Sequence, residues 1–219
     1  MPPRLKLLVL GASGGIGSWL IRLAAERGHD VTALIRAAAI LNAAAGVRVI
    51  RGEATDRRIV ADAVRGQDAV LSAIGQRRTS MSPWSTILSP HDIVEHVTRN
   101  LVAVMPSAGV RRLVFVSAGG VRDSVAQCTR AIRWMITRPR LRIAYADLAR
   151  AEEHAEASAL DWLAVRPVTL APDFLTRRAR VVSRYTFLSS VTRRAVADWM
   201  IAAVERPEPF IQRTVLLGA

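Results

Sequence analysis

The sequence contains one cysteine, Cys128, and no long hydrophobic run. A single cysteine cannot form an internal disulfide, and beside four scattered histidines it gives no pattern typical of a metal site. No apolar run approaches the roughly 20 residues that a membrane-spanning helix needs. The first predicted strand begins close to Met1, which argues against a cleavable signal. These absences predict a soluble, cytoplasmic protein with neither a metal centre nor a membrane partner.

Lysine is also nearly absent, although the formal net charge is +13. Lys6 is the only lysine, so nearly all of the positive charge comes from arginine. Clustered arginines neutralise phosphates and would suit a nucleic acid. Here they form scattered pairs (57/58, 77/78, 111/112, 177/178 and 193/194) with no interleaved aromatic pattern and no nucleic-acid-binding motif. We therefore interpret them as a solvated surface, assisted by an anionic small ligand, and expect no nucleic-acid partner.

A glycine-rich motif directly follows the first predicted strand. The apolar run 5–10 leads into the motif 11–17, then into an amphipathic helix (18–27) and a second strand (30–35). In such a βαβ unit the glycines permit a tight turn, approach of a dinucleotide pyrophosphate and close helix–strand packing. The helix N-terminus adds unpaired N–H groups. We predict that the phosphates bind to Gly11, Ser13, Gly14, Gly15, Ile16 and Gly17, the alternative being a glycine turn without a ligand.

Strand-like and helix-like segments alternate along most of the chain. Further strands are expected at 47–51, 68–74, 112–117, 161–166 and 214–217, and further helices at 37–45, 57–64, 91–108, 144–159 and 192–205. This alternation predicts an α/β fold with a Rossmann-like, doubly wound parallel sheet in three α/β/α layers. No repeat or linker divides residues 1–219, so we expect a single domain in which about 168–212 contribute a small C-terminal cap on the substrate side.

Three stretches resemble a known superfamily. The G-x-x-G-x-x-G spacing of 11–17 resembles the extended and atypical short-chain dehydrogenases/reductases. Residues 158–167 and 192–199 are similar to segments of the atypical NAD(P)H-binding members, which include the flavin reductase/biliverdin reductase B type and the NmrA-like proteins. The resemblance covers about 5–217 and implies an NAD(P)-binding Rossmann fold. It leaves the reaction open, because the group includes reductases, epimerase-like enzymes and redox sensors.

The end of the second strand bears on the choice of cofactor. An NAD site places an acidic side chain there for the ribose 2′-OH, whereas this strand ends in Arg36. A guanidinium suits a 2′-phosphate, so we predict NADP(H), the alternative being a solvated strand-end arginine. By resemblance, Asp56 lies near the adenine, although its position fits a helix N-cap equally well. The resemblance also places Ala73, Ile74 and Gly75 along the cofactor.

The single lysine excludes one mechanism. Carbonyl reduction in this superfamily commonly uses a Tyr-x-x-x-Lys pair, and neither tyrosine of this chain has a lysine four residues later. Hydride transfer to a flavin-like acceptor remains open, because positioning supplies most of that catalysis.

Three polar side chains are predicted catalytic candidates. Ser117 ends the fifth strand, near where the resemblance places the nicotinamide, or else it satisfies a backbone group. Tyr145 and Asp147 lie on the helix that faces the nicotinamide in the resembling proteins. There, either side chain would donate a proton or orient the substrate. Alternatively, Tyr145 packs its ring and bonds its hydroxyl locally. The flavin reductase type has a histidine in this helix where this chain has Leu148.

Other side chains near the expected site have both a functional and a structural interpretation. Arg150 binds an anionic substrate, or it pairs with a helix neighbour such as Glu153. His91 exchanges protons, or it is a surface or capping residue. Met81 and Trp84, in the polar loop 76–90, would form an apolar lid over an aromatic ligand.

Together these features predict an NADPH-dependent oxidoreductase that transfers hydride to a conjugated small acceptor such as a flavin, quinone or enone. One alternative is a non-enzymatic NADP(H) sensor, and another is a redox-neutral epimerase or isomerase on the same scaffold. The expected ligand beside the cofactor is flat or anionic, and the expected assembly is a monomer or homodimer.

Overall fold

The computed structural model describes residues 3–41, 46–80, 85–174, 178–211 and 213–219. Its strands are β1 (Lys6–Leu10), β2 (Asp30–Ile35), β3 (Arg48–Arg51), β4 (Ala69–Ser72), β5 (Arg112–Val116), β6 (Asp161–Pro167), β7 (Thr169–Ala171), β8 (Arg180–Val181), β9 (Ser190–Thr192) and β10 (Thr214–Gly218). Its α-helices are α1 (Gly15–Glu26), α2 (Arg57–Val64), α3 (Ile93–Val104), α4 (Arg130–Ile136), α5 (Pro139–Glu156) and α6 (Arg193–Val204). Short 3₁₀ helices span Pro106–Ala108 and Arg122–Gln127.

Eight of these strands form one sheet in the order β3-β2-β1-β4-β5-β6-β10-β8. All neighbours pair in parallel except β8, which runs antiparallel to β10 at the edge. The strand order reverses at β1, whose two neighbours are β2 and β4. Open α/β sheets bind their ligands in the crevice at the carboxyl ends of the strands at such a reversal. The predicted Rossmann-like, doubly wound fold is confirmed.

Side chains alternate across the sheet and separate two cores. Leu7 and Val9 of β1 pack on the face covered by α1 and α6, and Leu8 and Leu10 pack on the face covered by α2 and α3. All four side chains are completely buried, and burial of one such side chain is worth about 1.5–3 kcal/mol. Both faces of β1 are therefore apolar, as a sheet with helices on both sides requires.

The predicted helix 37–45 is wrong over its described part. Residues 37–41 are not helical, and the Ala39 N–H donates to the Arg36 carbonyl in a tight turn. The Arg51 guanidinium, at the end of β3, donates to the Ala37 and Ala39 carbonyls at 3.0 Å each. These carbonyls would be acceptors in a helix, so the tertiary contact overrides the helix propensity of alanine. Residues 42–45 lie outside the described part of the chain.

The second half departs from expectation in its details. Helix α5 begins at Pro139 rather than at Ala144, because proline suits the first turn of a helix. Within the 168–212 stretch, β7 and β9 form a separate small sheet, but α6 packs beside α1 and β8 joins the main sheet. This stretch is therefore partly a layer of the core and not only a cap. Over the described residues, no helix has both the length and the apolar character needed to cross a membrane.

Candidate cofactor and substrate site

A cleft opens at the carboxyl ends of β1, β2 and β4. Its volume is about 280 Å³, and it is lined by the glycine loop, the end of β2, the turn after β3 and the segment after β4. Five residues that the sequence analysis singled out line it together: Gly11, Ser13, Arg36, Ile74 and Gly75. The sequence analysis missed other lining residues, among them Glu53, Arg77, Leu88, Ser89, Pro90 and Ile93.

Two glycines of the loop are required by close backbone packing. Gly11 has φ +73°, and a Cβ there would lie 2.7 Å from the Ala73 carbonyl oxygen. A Cβ on Gly17 would collide with the Gly11 carbonyl. Any side chain at either position would push β1, α1 and the segment after β4 apart. The loop can therefore lie flat against the strand ends and expose its backbone to the cleft.

The first turn of α1 directly follows the part of the glycine loop that lines the cleft. The helix begins at Gly15 after Gly14 as N-cap, with no acidic residue in its first turn and no side-chain cap. The first N–H groups of a helix have no partner within it and attract anions. The side chain of Ile16 is buried in the core, so that residue offers only its backbone N–H. Gly15 lies beneath the side chain of Arg193, whose Cδ would be 2.6 Å from a Cβ at Gly15.

Arg36 and Asp56 differ in their relation to the cleft. The exposed Arg36 side chain borders it and has no ion pair or hydrogen bond among the residues that the structure describes. Asp56 does not line the cleft, and its Oδ1 accepts the Arg58 N–H at 2.9 Å as the N-cap of α2. Its neighbours Ala54 and Thr55 do line the cleft. The geometry thus gives Asp56 the capping role, and contact with an adenine stays a prediction.

Ser117 lies at one end of a buried ionic network. Its Oγ donates to Glu152 Oε1 at 2.6 Å, so its partner is a carboxylate and not a backbone group. Glu152 is fully buried and accepts two hydrogen bonds from Arg166, at 2.9 and 2.6 Å. Arg166, only 2% exposed, also donates to Asp123 at 2.8 Å. This network fixes the end of β5 against α5 and β6.

Asp147 joins α5 to the beginning of α3. It is completely buried and accepts the backbone N–H groups of Val94 and Glu95 at 3.2 and 2.8 Å, and the Gln76 amide at 3.3 Å. Burial raises the pKa of Asp147, and the three donors offset only part of that effect. Its carboxylate therefore satisfies the otherwise free N–H groups at the start of α3.

Tyr145 is similarly engaged within the protein. Its hydroxyl donates to the Gly119 carbonyl at 3.0 Å, and its ring packs against the apolar core. Burial raises the pKa of Tyr145 well above its ordinary value. The local interpretation of this tyrosine agrees with the geometry.

Arg150 has a different partner from the one expected, whereas the exposure of His91 agrees with its interpretation as a surface residue. Arg150 forms an ion pair with Glu95 of α3 and not with the helix neighbour Glu153, because α3 and α5 pack side by side. His91 is exposed, and its carbonyl accepts the Gln76 amide at 2.8 Å. Met81 and Trp84 lie outside the described residues.

Two short antiparallel segments beside the cleft carry a half-buried arginine. Arg78 forms a β-bridge with Ile87, and the Leu88 N–H donates to the Arg77 carbonyl at 2.8 Å. Arg78 Nη2 donates to the Arg140 carbonyl at 3.1 Å, whereas its buried Nε has no hydrogen-bond partner in the described part of the chain. Burial, together with the charge of Arg140, lowers the pKa of Arg78. A guanidinium held in this way suits an incoming anion.

Comparison with curated proteins finds similarity to NAD(P)-dependent oxidoreductases. Over 117 residues the chain is 34% identical to a 2-alkyl-3-oxoalkanoate reductase of Stenotrophomonas maltophilia, covering 53% of this chain and 34% of that protein. Over 119 residues it is 31% identical to a 3β-hydroxysteroid dehydrogenase/Δ5→4-isomerase of Mycobacterium tuberculosis, covering 53% of this chain and 32% of that protein. The chain thus spans about a third of the length of these relatives.

Solved structures match over nearly the whole chain. A short-chain dehydrogenase/reductase of Veillonella parvula in complex with NADP has a TM-score of 0.79 at 16% identity, covering 99% of this chain and 95% of that one. ChuY, an anaerobillin reductase of Escherichia coli O157:H7, has a TM-score of 0.75 at 24% identity, covering 97% and 96%. At these identities the likeness shows the fold. A family model described as NAD(P)H-binding matches residues 11–207. The chain therefore belongs to the NAD(P)H-binding family.

Proposed function

We propose that this protein is an NADPH-dependent reductase of a flat, conjugated small molecule such as a flavin, quinone or enone. The observation that carries the proposal is the cleft at the reversal of strand order, where the glycine loop and Arg36 lie together. The first provides backbone donors for a pyrophosphate, and the second provides a permanent positive charge for a 2′-phosphate.

The residues present fit NADP(H) in shape and in charge. A Cβ on Gly11 or Gly17 would fill the space in which the loop meets the strand ends, so the loop is shaped for close approach. The N–H groups at the start of α1 would hold the pyrophosphate, and Arg36 would hold the 2′-phosphate. Ala54 and Thr55 would border the adenine, and Ile74 and Gly75 would border the cofactor beyond its phosphates.

The chain itself would act mainly by positioning. When bound, the reduced nicotinamide supplies a hydride. Ser117 and Asp147 are engaged by buried partners, and we assign them the role of holding β5, α3 and α5 in place around the acceptor. The Tyr145 hydroxyl is bonded to a carbonyl, and burial raises its pKa, which makes it a poor acid. For a flavin-like acceptor the proton would then come from water.

The acceptor that we propose carries an anionic group. Arg78 supports this, because its partly buried guanidinium has an unpartnered Nε among the described residues and lies near the charge of Arg140. Arg78 lies close enough to Tyr145 to interact with it electrostatically, and Tyr145 is on the helix that the family resemblance places opposite the nicotinamide. A carboxylate or phosphate on the acceptor would compensate this charge.

A second candidate function is an NADP(H) sensor that binds the cofactor without turnover. It is favoured by the engagement of Ser117, Tyr145 and Asp147 in structural hydrogen bonds, which leaves none of the three as an evident proton donor. A sensor would oxidise NADPH no faster than solvent does.

The deciding experiment measures NADPH oxidation, by loss of reduced nicotinamide absorbance, with FMN, quinones and enones offered in turn. NADH is run in parallel, and cofactor binding is measured separately by fluorescence. Turnover with at least one acceptor supports the reductase. Tight NADPH binding without turnover over the whole panel supports the sensor, and absence of binding contradicts both.

A further inference from the structure

Two arginine-rich segments without acidic residues meet beside α4. Residues 124–146 contain five arginines and residues 174–197 contain six, and neither segment has an aspartate or a glutamate. A β-bridge joins Cys128 to Tyr185, and the Thr129 N–H donates to the Tyr185 carbonyl at 3.0 Å. The fold thus brings two distant stretches of like charge to one part of the surface.

A cavity of about 370 Å³ between these segments is lined by three arginines. Arg130 and Arg133 belong to α4, and Arg184 belongs to the connection between β8 and β9. None of the lining residues that the structure describes is acidic. Arg133 donates only to neutral groups, the Cys128 and Ala126 carbonyls, and Arg130 and Arg184 form no ion pair with any described residue. The walls of the cavity therefore supply no counter-charge.

Exposed apolar side chains flank the same surface. On α4, Trp134 is 60% exposed and follows Arg130 and Arg133 at the i, i+3, i+4 spacing of one helix face. In the second segment, Phe187 is 62% exposed and Leu188 is 94% exposed. Apolar and cationic side chains thus share this surface.

A tight turn holds Phe187 and Leu188 in water. The Thr186 N–H donates to Ser189 Oγ at 3.0 Å, and the Leu188 N–H donates to Thr186 Oγ1 at 3.2 Å. Single exposed apolar residues are ordinary, whereas adjacent ones rimmed by polar residues are typical of interaction sites. The turn therefore presents a projecting apolar tip beside the arginines.

We infer that this surface docks on an anionic lipid bilayer. We call it the basic face and define it by six exposed residues: Arg130, Arg133, Trp134, Arg184, Phe187 and Leu188. Its arginines would attract anionic headgroups, and its aromatic and leucine side chains would enter the apolar edge of the bilayer. A bilayer accepts projecting apolar side chains without a matching pocket, which an acidic protein would have to provide.

The inference goes beyond the proposed reductase and does not depend on it. The absence of a long apolar run led to the expectation of no membrane partner, but docking at a bilayer surface needs no such run. Docking would bring the chain to the phase in which lipophilic quinones, one of the proposed acceptor classes, dissolve.

The test is sedimentation of the full chain with vesicles of phosphatidylcholine, alone or mixed with an equal part of phosphatidylglycerol. We expect the wild type to bind only the mixed vesicles. Arg130→Gln/Arg184→Gln should weaken this binding by about 10- to 30-fold, because each arginine near an anionic surface contributes about fivefold. That loss should shrink as salt rises, since salt screens exposed charges.

A second variant tests the apolar tip. Phe187→Ser/Leu188→Ser should weaken binding to the mixed vesicles by about 10-fold or more, because the side chains that enter the bilayer are removed. This loss should change little with salt, since it concerns burial of apolar surface and not charge.

The matched control is Arg57→Gln/Arg99→Gln. Both residues are exposed, on α2 and α3, which cover the face of the sheet opposite to the core that contains Ile132 of α4. The control removes the same charge from another surface and should bind mixed vesicles within about twofold of the wild type. All three variants should keep their NADPH affinity, because none of the changed residues lines the cofactor cleft.

Three results would overturn the inference. The wild type would fail to bind the mixed vesicles, or the control would lose as much affinity as Arg130→Gln/Arg184→Gln, so that net charge alone explains binding. In the third, polyglutamate would bind as tightly as the vesicles and Phe187→Ser/Leu188→Ser would change neither, which would assign the face to an acidic protein. Failure of the proposed function is distinct, since it would appear as absent NADPH binding or turnover with vesicle binding intact.

Discussion

Replacing Arg166 by methionine leaves the buried carboxylate of Glu152 without its cationic partner. Arg166 is 2% exposed and makes two hydrogen bonds to Glu152, which is fully buried, and one to Asp123. After the change, Glu152 keeps only the Ser117 hydroxyl. Removal of one member of a buried ion pair typically costs about 3–5 kcal/mol. For a chain of this length, the melting temperature should then fall by roughly 10 °C.

Urea denaturation of three variants tests this reasoning. Arg166→Met should show the full loss, and the double variant Arg166→Met/Glu152→Leu should recover most of it, because no charge remains buried. The control is Arg22→Met, which breaks the exposed pair with Glu26 and should cost no more than about 0.5 kcal/mol. A loss below about 1 kcal/mol for Arg166→Met would refute the account of the network as a fully desolvated pair.

Three further predictions concern the glycine loop, the buried Asp147 and the half-buried Arg78. Gly17→Ala should abolish NADPH binding and lower the melting temperature, because its Cβ overlaps the Gly11 carbonyl; fluorescence and circular dichroism check both effects. Burial raises the folded-state pKa of Asp147 above its usual 3.8. The stability of the wild type relative to Asp147→Asn should therefore decrease as the pH rises from the unfolded-state pKa to the folded-state pKa, and then level off. Urea denaturation at a series of pH values checks this, and an increase with pH would contradict it. In the reductase assay, Arg78→Gln should reduce kcat/KM for FMN by about 10-fold and leave riboflavin, which has no phosphate, unchanged.

The first βαβ unit could be predicted from the sequence because its signals are local. The bounds of β2 and α2 agree with the predicted ones, and the glycines of the loop are required where the motif places them. Arg36 follows β2 directly, so its position at the cleft needs only the strand assignment.

The partners of the other candidates depend on contacts between distant segments. Ser117 meets Glu152, Asp147 meets the start of α3, and Gly15 meets Arg193. Each pairing arises because α5 or α6 packs beside an element that is distant in the sequence, and no spacing in the sequence indicates that register. The incorrect prediction of a helix at 37–45 has the same cause. The Arg51 side chain, on the other side of the β2–β3 connection, donates hydrogen bonds to the Ala37 and Ala39 carbonyls.

The central claim is that this cleft selects NADPH through Arg36, and the most direct measurement compares dissociation constants for NADPH and NADH in the wild type and in Arg36→Ala. We expect the wild type to prefer NADPH. The variant should lose that preference through weaker NADPH binding, by about 10- to 100-fold, with NADH unchanged, because only the 2′-phosphate loses its cation. Equal affinities in the wild type, or a preference that survives in Arg36→Ala, would contradict the assignment.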